Sequence, residues 1–67
     1  MNIILNNTPA TLPHDNMSLE DLIVWKGWKR EGTAIAVNDI LITREKWKLT
    51  KLSNLDRVTV ITAAFGG

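Results

Sequence analysis

The stretch Arg57-Val58-Thr59-Val60-Ile61-Thr62-Ala63 predicts the strongest strand of the chain. β-Branched residues dominate it, and such residues are enriched in strands. Val58, Val60 and Thr62 face one way, and the residues between them face the other. Because this is the most apolar strand candidate, we expect it at the centre of a sheet, parallel to the first strand of the chain.

Shorter elements precede that strand, each bounded by turn-forming residues. Their order is strand, strand, helix, strand, strand and helical turn. This order describes an α+β domain with one main helix packed across a mixed sheet of four or five strands. The predicted ranges are 2–7 and 10–12 for the first two strands, 33–37 and 40–42 for the next two, and 43–47 for the helical turn.

The start of the main helix has the clearest local signal. Ser18 is followed three residues later by Asp21, which resembles a capping box and predicts a helix that begins at Leu19. Two later glycines are alternative stops, so the helix ends either near Lys26 or near Arg30.

Composition limits both the architecture and the function. At 67 residues the chain has room for one core, and 45% hydrophobic residues suffice to fill it. We expect a single domain over 1–67 with a flexible tail over about 64–67. A net charge of +1 lacks the basic excess of nucleic-acid binders, and no apolar run approaches the roughly 20 residues of a membrane span. A cytoplasmic protein that binds neither nucleic acid nor membrane is therefore expected.

The chain offers no residues for catalysis or metal binding at recognisable spacing. It has no cysteine, which excludes a disulfide framework and a thiolate metal site. His14, the one histidine, has no partner at ligand spacing and is interpreted as a surface residue. We expect no catalytic residue of the chain's own, no metal and no bound cofactor.

Aromatic residues in the middle of the chain favour structural interpretations. Trp47 is expected to cover the core, because large aromatic side chains bury most of their area. Its neighbours Arg44 and Glu45 are expected in solvent. Trp25 and Trp28 cannot be assigned to a helix face from the pattern.

Basic residues around those two tryptophans could mimic a nucleic-acid patch. Lys26, Lys29 and Arg30 lie close together in the sequence, interleaved with the indole side chains. Acidic residues at 20, 21 and 31 dilute their charge. A solvated helix face is the better interpretation.

The chain ends in Phe65-Gly66-Gly67. Transfer of AMP from ATP to the α-carboxylate of Gly67 would create a mixed anhydride that a sulfur or amine nucleophile can attack. Glycine lacks a Cβ, so two in succession can enter a narrow slot in another enzyme. Chance and the tolerance of chain ends for glycine also explain such a tail, so the tail alone does not decide between these interpretations.

Four blocks in the second half of the chain carry a family resemblance. They are Ala-Ile-Ala-Val-Asn at 34–38, Ile-Thr-Arg-Glu-Lys-Trp at 42–47, Asp-Arg-Val-Thr-Val-Ile at 56–61 and Ala-Ala-Phe-Gly-Gly at 63–67. In content and order they resemble the thiamine-biosynthesis sulfur carriers, the ThiS family of ubiquitin-like β-grasp proteins. The chain departs from that family at Asn54-Leu55-Asp56, where Asp-Gly-Asp is common, and this turn is expected to need no glycine.

The resemblance implies a function for the tail. An E1-like adenylyltransferase (ThiF-like) would use ATP and magnesium to adenylate Gly67, while Gly66, Phe65 and Ala64 bind that enzyme. Sulfur relay proteins would convert the adenylate to a thiocarboxylate, and thiazole synthase (ThiG-like) would take the sulfur. The exposed sheet face beside the last strand is expected to dock the activating enzyme, and the carrier would perform no catalysis of its own.

Three other functions remain open from the sequence. The chain could carry sulfur for molybdopterin synthesis or tRNA thiolation, modify lysines as ubiquitin does, or serve as an interaction module with an inert tail. Phe65 is equally compatible with packing on the sheet edge and with exposure to a partner.

Overall fold

The computed structural model describes residues 1–62, which contain a five-stranded mixed sheet with one α-helix across it. The strand order is β2-β1-β5-β3-β4; β5 is parallel to β1 and antiparallel to β3, which confirms the predicted central strand. The elements are β1 (Asn2–Leu5), β2 (Thr8–Thr11), α1 (Leu19–Lys26), β3 (Thr33–Val37), β4 (Ile40–Ile42), a 3₁₀ helix (Arg44–Leu49) and β5 (Arg57–Thr62).

The core lies between α1 and one face of the sheet. Alternation along the strands places Ile3, Ile35 and Val58 on that face, and each is almost completely buried. Leu22 and Ile23 meet them from the helix. The buried hydrophobic residues are Ile3, Leu5, Leu12, Met17, Leu19, Leu22, Ile23, Ile35, Trp47, Leu52, Val58 and Val60.

Both ends of α1 are fixed by identifiable caps. The Asp21 backbone N–H donates to the Ser18 hydroxyl at 3.1 Å, and the Ser18 N–H donates to the Asp21 carboxylate at 2.9 Å. This confirms the capping box, and the Ser18 N–H bond is the main reason that the pKa of Asp21 lies below its ordinary value. Gly27 has a φ of 72° and is the left-handed C-cap, so the helix ends at Lys26 rather than near Arg30.

Five predicted boundaries are wrong: three by two residues, and two by one residue, namely the end of the second strand at Thr11 and the start of the 3₁₀ helix at Arg44. The first strand ends earlier and the second begins earlier than predicted, because Asn6 and Asn7 alone form the turn, with φ of 50° and 66°. Pro9 is tolerated within β2 because β2 is an edge strand. The 3₁₀ helix continues to Leu49, whereas β3 and β4 have the predicted bounds. The last predicted strand residue, Ala63, lies outside the described residues.

The turn before β5 does adopt the conformation that glycine favours, so the expectation that it needs no glycine is wrong. Leu55 has a φ of 70°, a left-handed angle that is costly for a residue with a Cβ. Its N–H donates to the Asn2 carbonyl at 2.6 Å, while the Ser53 N–H donates to the Asp56 carboxylate at 2.7 Å. These bonds hold the strained residue in place.

We expect Leu55→Gly to stabilise the protein. Relief of the left-handed conformation is expected to stabilise the folded state by about 1–2 kcal/mol. The larger conformational entropy that glycine gives the unfolded chain offsets about 0.4–1 kcal/mol of that gain. The Leu55 side chain is 64% exposed, so its loss removes little burial. A rise of a few degrees in the thermal midpoint, read by circular dichroism, is expected. Ser53→Gly, at an ordinary backbone angle, is the matched control; a fall for both variants would contradict the strain.

Candidate functional site: the root of the C-terminal tail

The residues predicted to react and to bind the activating enzyme are Gly67, Gly66, Phe65 and Ala64, and all four lie outside the described residues. The structure does describe the end of β5 from which they follow. We define Val60–Thr62 as the tail root. The contacts of the tail root determine the position from which the tail begins and the surfaces that lie beside it.

The tail root is bound on both sides. On one side, Thr62 pairs with Thr33 at the start of β3. On the other side β1 has already ended, and the Asn6 side chain takes its place: the Val60 N–H donates to Asn6 Oδ1 at 2.8 Å, and Asn6 Nδ2 donates to the Val60 carbonyl at 3.2 Å. The backbone of β5 is therefore held almost to its last described residue.

The sequence pattern does not single out Asn6 as a residue of this site. Its turn position follows from the Asn-Asn pair between β1 and β2, since asparagine tolerates left-handed angles. Its bonds to Val60 join residues 54 positions apart. Only the parallel pairing of β1 with β5 brings them together.

The sheet face opposite α1 is apolar beside the tail root. Ile61 pairs with Ala34, and Ala36 lies between Thr59 and Leu41 in the neighbouring pairs. Ile61 and Leu41 are 66% and 68% exposed, and the alanines between them keep the surface shallow. We call these residues, Ala34, Ala36, Leu41, Thr59 and Ile61, the open face.

The helix side of the same end carries an aromatic group. The Lys26 ammonium lies 5.6 Å from the ring centroid of Trp25 and 5.4 Å from that of Trp28. Trp28 is half-buried against the core, whereas Trp25 is 46% exposed. Lys26, Trp28 and Asn6 line a groove of about 330 Å³. We call Trp25, Lys26 and Trp28 the indole–lysine cluster.

Other residues considered from the sequence have structural or solvent positions. Trp47 is buried, and its Nε1–H donates to the Ile42 carbonyl at 3.0 Å, which confirms its predicted place over the core. Arg44, Glu45 and His14 are exposed, as predicted.

Metal binding and membrane insertion were each considered for the described residues. Residues 1–62 contain no group of three histidine, cysteine, aspartate or glutamate side chains placed to hold a metal ion. Over the same residues, the structure has no helix with the length and apolar character needed to span a membrane.

Comparisons with known proteins agree with the fold and identify the family. The model of the ThiS family matches residues 3–67. A crystal structure of a thiamine biosynthesis protein (ThiS) from Geobacter metallireducens superimposes with a TM-score of 0.83 at 23% identity, covering 100% of both chains. A solution NMR structure of a thiamine biosynthesis protein from that organism gives 0.85 at 22% identity, covering 100% of this chain and 88% of the other. No curated protein matches significantly.

The structural likeness, at this level of identity, bears on the fold: it confirms the predicted ubiquitin-like β-grasp architecture. The family match covers nearly the whole sequence, including the terminal diglycine, and confirms the resemblance seen in the four sequence blocks. The chain belongs to the ThiS family.

Proposed function

We propose that the protein is a sulfur carrier of thiamine biosynthesis whose reactive group is the α-carboxylate of Gly67. The observation that carries this proposal is the match to the ThiS family, which extends over residues 3–67 and so includes Gly66 and Gly67. A carrier needs a domain that partners recognise and an end that they can modify. This chain combines a folded β-grasp domain with a diglycine terminus.

The chemistry acts on the carboxylate carbon. An ionised carboxylate is a poor electrophile, and an E1-like adenylyltransferase would transfer AMP to it from ATP with magnesium, releasing pyrophosphate. A sulfur nucleophile supplied by relay proteins would then displace AMP, and the resulting terminal thiocarboxylate would donate its sulfur to thiazole synthase. ATP and magnesium would be bound by the activating enzyme, and the carrier would contribute the substrate group.

The tail root suits a carrier whose end must reach a partner's active site. β5 is the middle strand of five and is held on both sides up to Val60 and Thr62. Thr62, which the tail follows in sequence, therefore has a fixed position relative to the open face, and this favours productive orientation of the terminal carboxylate. The sequence contains no cysteine, so no thiol of the chain's own can intercept the activated carbonyl.

We assign the docking of the adenylyltransferase to the open face. It is contiguous and apolar, and Ile61 places it directly beside the tail root. Exposed apolar patches of this kind mark sites of protein association. A partner bound there would cover the end of β5 and receive the residues that follow it in the chain.

Intact-protein mass spectrometry tests the proposal. The untagged protein is incubated with the adenylyltransferase, ATP, magnesium and the sulfur relay proteins, and is then weighed. We expect a species heavier by the replacement of one oxygen by sulfur, which does not form when ATP is omitted. If every molecule keeps an ordinary carboxylate, the proposal fails; conjugates of higher mass in cell extract would instead indicate a protein modifier.

A further inference from the structure

Asn6 contacts β5 through its backbone and, separately, through its side chain. Its backbone N–H donates to the Val58 carbonyl at 2.9 Å, which continues the parallel ladder that pairs Leu5 with Val58. Its φ of 50° then turns the chain away into β2. The backbone ladder between β1 and β5 therefore stops at this point, although β5 continues to Thr62.

The carboxamide of Asn6 supplies the hydrogen bonds that the backbone of β1 no longer makes. Oδ1 accepts from the Val60 N–H at 2.8 Å, and Nδ2 donates to the Val60 carbonyl at 3.2 Å. One side chain thus provides both the acceptor and the donor of a strand residue. Val60 pairs with Ile35 of β3 on its other side. The carboxamide therefore extends the two-sided support of β5 toward the tail root.

Few other side chains could make these contacts from this position. The left-handed φ at Asn6 favours glycine, asparagine and aspartate over other residues. The bonds to Val60 also require an acceptor and a donor on one short side chain. Glycine has neither, and an aspartate carboxylate has no donor. Among the residues that tolerate the turn, asparagine alone meets both requirements.

The reaction proposed for the tail depends on the position of its nucleophile. In adenylation, an oxygen of the Gly67 carboxylate forms a bond to the α-phosphorus of ATP. The bond from that phosphorus to the bridging oxygen breaks, and pyrophosphate leaves with the electron pair. The enzyme holds ATP, whereas the carrier holds the attacking oxygen at the end of a segment that follows Thr62. Restriction of that segment at its start raises the fraction of time in which the oxygen is placed for attack.

We propose that Asn6 is a positioning residue for the adenylation of Gly67. Its carboxamide holds Val60, and thereby the residues that follow it, in a fixed relation to the open face, of which Ile61 is a member. Asn6 acts through the backbone of β5 and not on the reacting atoms. The inference rests on the proposed function, and it adds to it a residue that lies on the turn between β1 and β2.

Steady-state kinetics of ATP–pyrophosphate exchange, catalysed by the adenylyltransferase with the carrier as variable substrate, test this role. Asn6→Gly keeps the left-handed turn and removes both bonds to Val60. We expect kcat to fall at least about fivefold, since each such bond shifts an equilibrium about two- to tenfold. The KM for the carrier should stay within about twofold, because the open face is unaltered. Asn6→Asp, which keeps the acceptor alone, should have an intermediate kcat.

The matched control is Asn7→Gly, the same change at the next turn residue, which is exposed and has a φ of 66°. Its kcat should stay within about twofold of that of the unaltered carrier. Amide hydrogen exchange, read by NMR without any partner, should be at least about fivefold faster at Val60 in Asn6→Gly. Exchange at Val58 should not change in either variant. A purely structural role would lower the thermal midpoint but leave kcat unchanged well below it.

Each of three results would overturn the positioning role while the proposed function stands. They are an unchanged kcat for Asn6→Gly, equal losses of kcat for Asn6→Gly and Asn7→Gly, and unchanged exchange at Val60. The second result would assign the effect to the turn rather than to the carboxamide. If the unaltered carrier supports no exchange of pyrophosphate into ATP, the proposed function fails, and the positioning role fails with it.

Discussion

Deletion of Gly67 is expected to lower the rate of thiocarboxylate formation at least about 100-fold, although the shortened chain still ends in a glycine carboxylate. One residue of extended chain spans about 3.3–3.6 Å. A misplacement of about 1 Å at a reacting centre can cost about 100-fold in rate. Because β5 is held up to Thr62, the sheet cannot slide forward to compensate for the lost length. Initial rates from intact-protein mass spectrometry give the comparison.

A variant with the original tail length distinguishes the effect of tail length on the rate from the effect of the identity of the last two residues. It lacks Gly67 but carries one additional alanine after Ala64, so the carboxylate returns to its original distance while Phe65 occupies the penultimate position. We expect the rate to stay low, because a large side chain would then have to enter the slot that receives the diglycine. Thermal melting should be unchanged in both variants. A normal rate for the deletion variant would show that activation does not depend on the position of the terminal carboxylate and would contradict the prediction.

The strand pattern was predictable because local signals and tertiary packing agree. β3 and β4 have the expected bounds, with Asn38 and Asp39 forming the two-residue turn between them at φ of 50° and 71°. The capping box at Ser18 likewise depends on neighbours three residues apart. Features that are decided within a few residues of the chain are visible in the sequence.

Features that depend on distant contacts were not predictable. The two glycines after α1 are equivalent as stops in the sequence; the helix ends at Lys26, and Trp28 beyond it packs against the core. The left-handed angle of Leu55 opposes its intrinsic preference and is held by its bond to Asn2. Propensity alone predicts the opposite conformation there.

The candidate site likewise has a part that the sequence predicts and a part that depends on the folded sheet. The diglycine is recognisable because its chemistry depends on the terminal residues alone. The surfaces around it depend on the register of the sheet: Ile61 joins an apolar face only because Ala34 lies opposite, and Asn6 reaches Val60 only across the parallel pair. A shift of one residue in register would turn the side chains of a strand to the other face.

Trp47→Ala is expected to bring the protein close to unfolding at room temperature. The Trp47 side chain is 1% exposed, and its indole N–H donates to the Ile42 carbonyl. Truncation of such a residue costs about 3–5 kcal/mol. A domain of 67 residues has in total only about 3–10 kcal/mol of stability, so the thermal midpoint should fall by at least about 12 °C. Circular dichroism during heating measures the change.

Trp25→Ala is the matched control, because it removes the same side chain from the exposed surface of α1. We expect it to cost about 1 kcal/mol or less. Trp47→Phe should lie between the two, since it keeps an aromatic ring in the core but loses the hydrogen bond to Ile42. The ratio of the two alanine effects measures how much of the stability of this small core depends on one indole. Equal losses at both positions would mean that Trp47 does not close the core, and that the 3₁₀ helix contributes little to the stability of the domain.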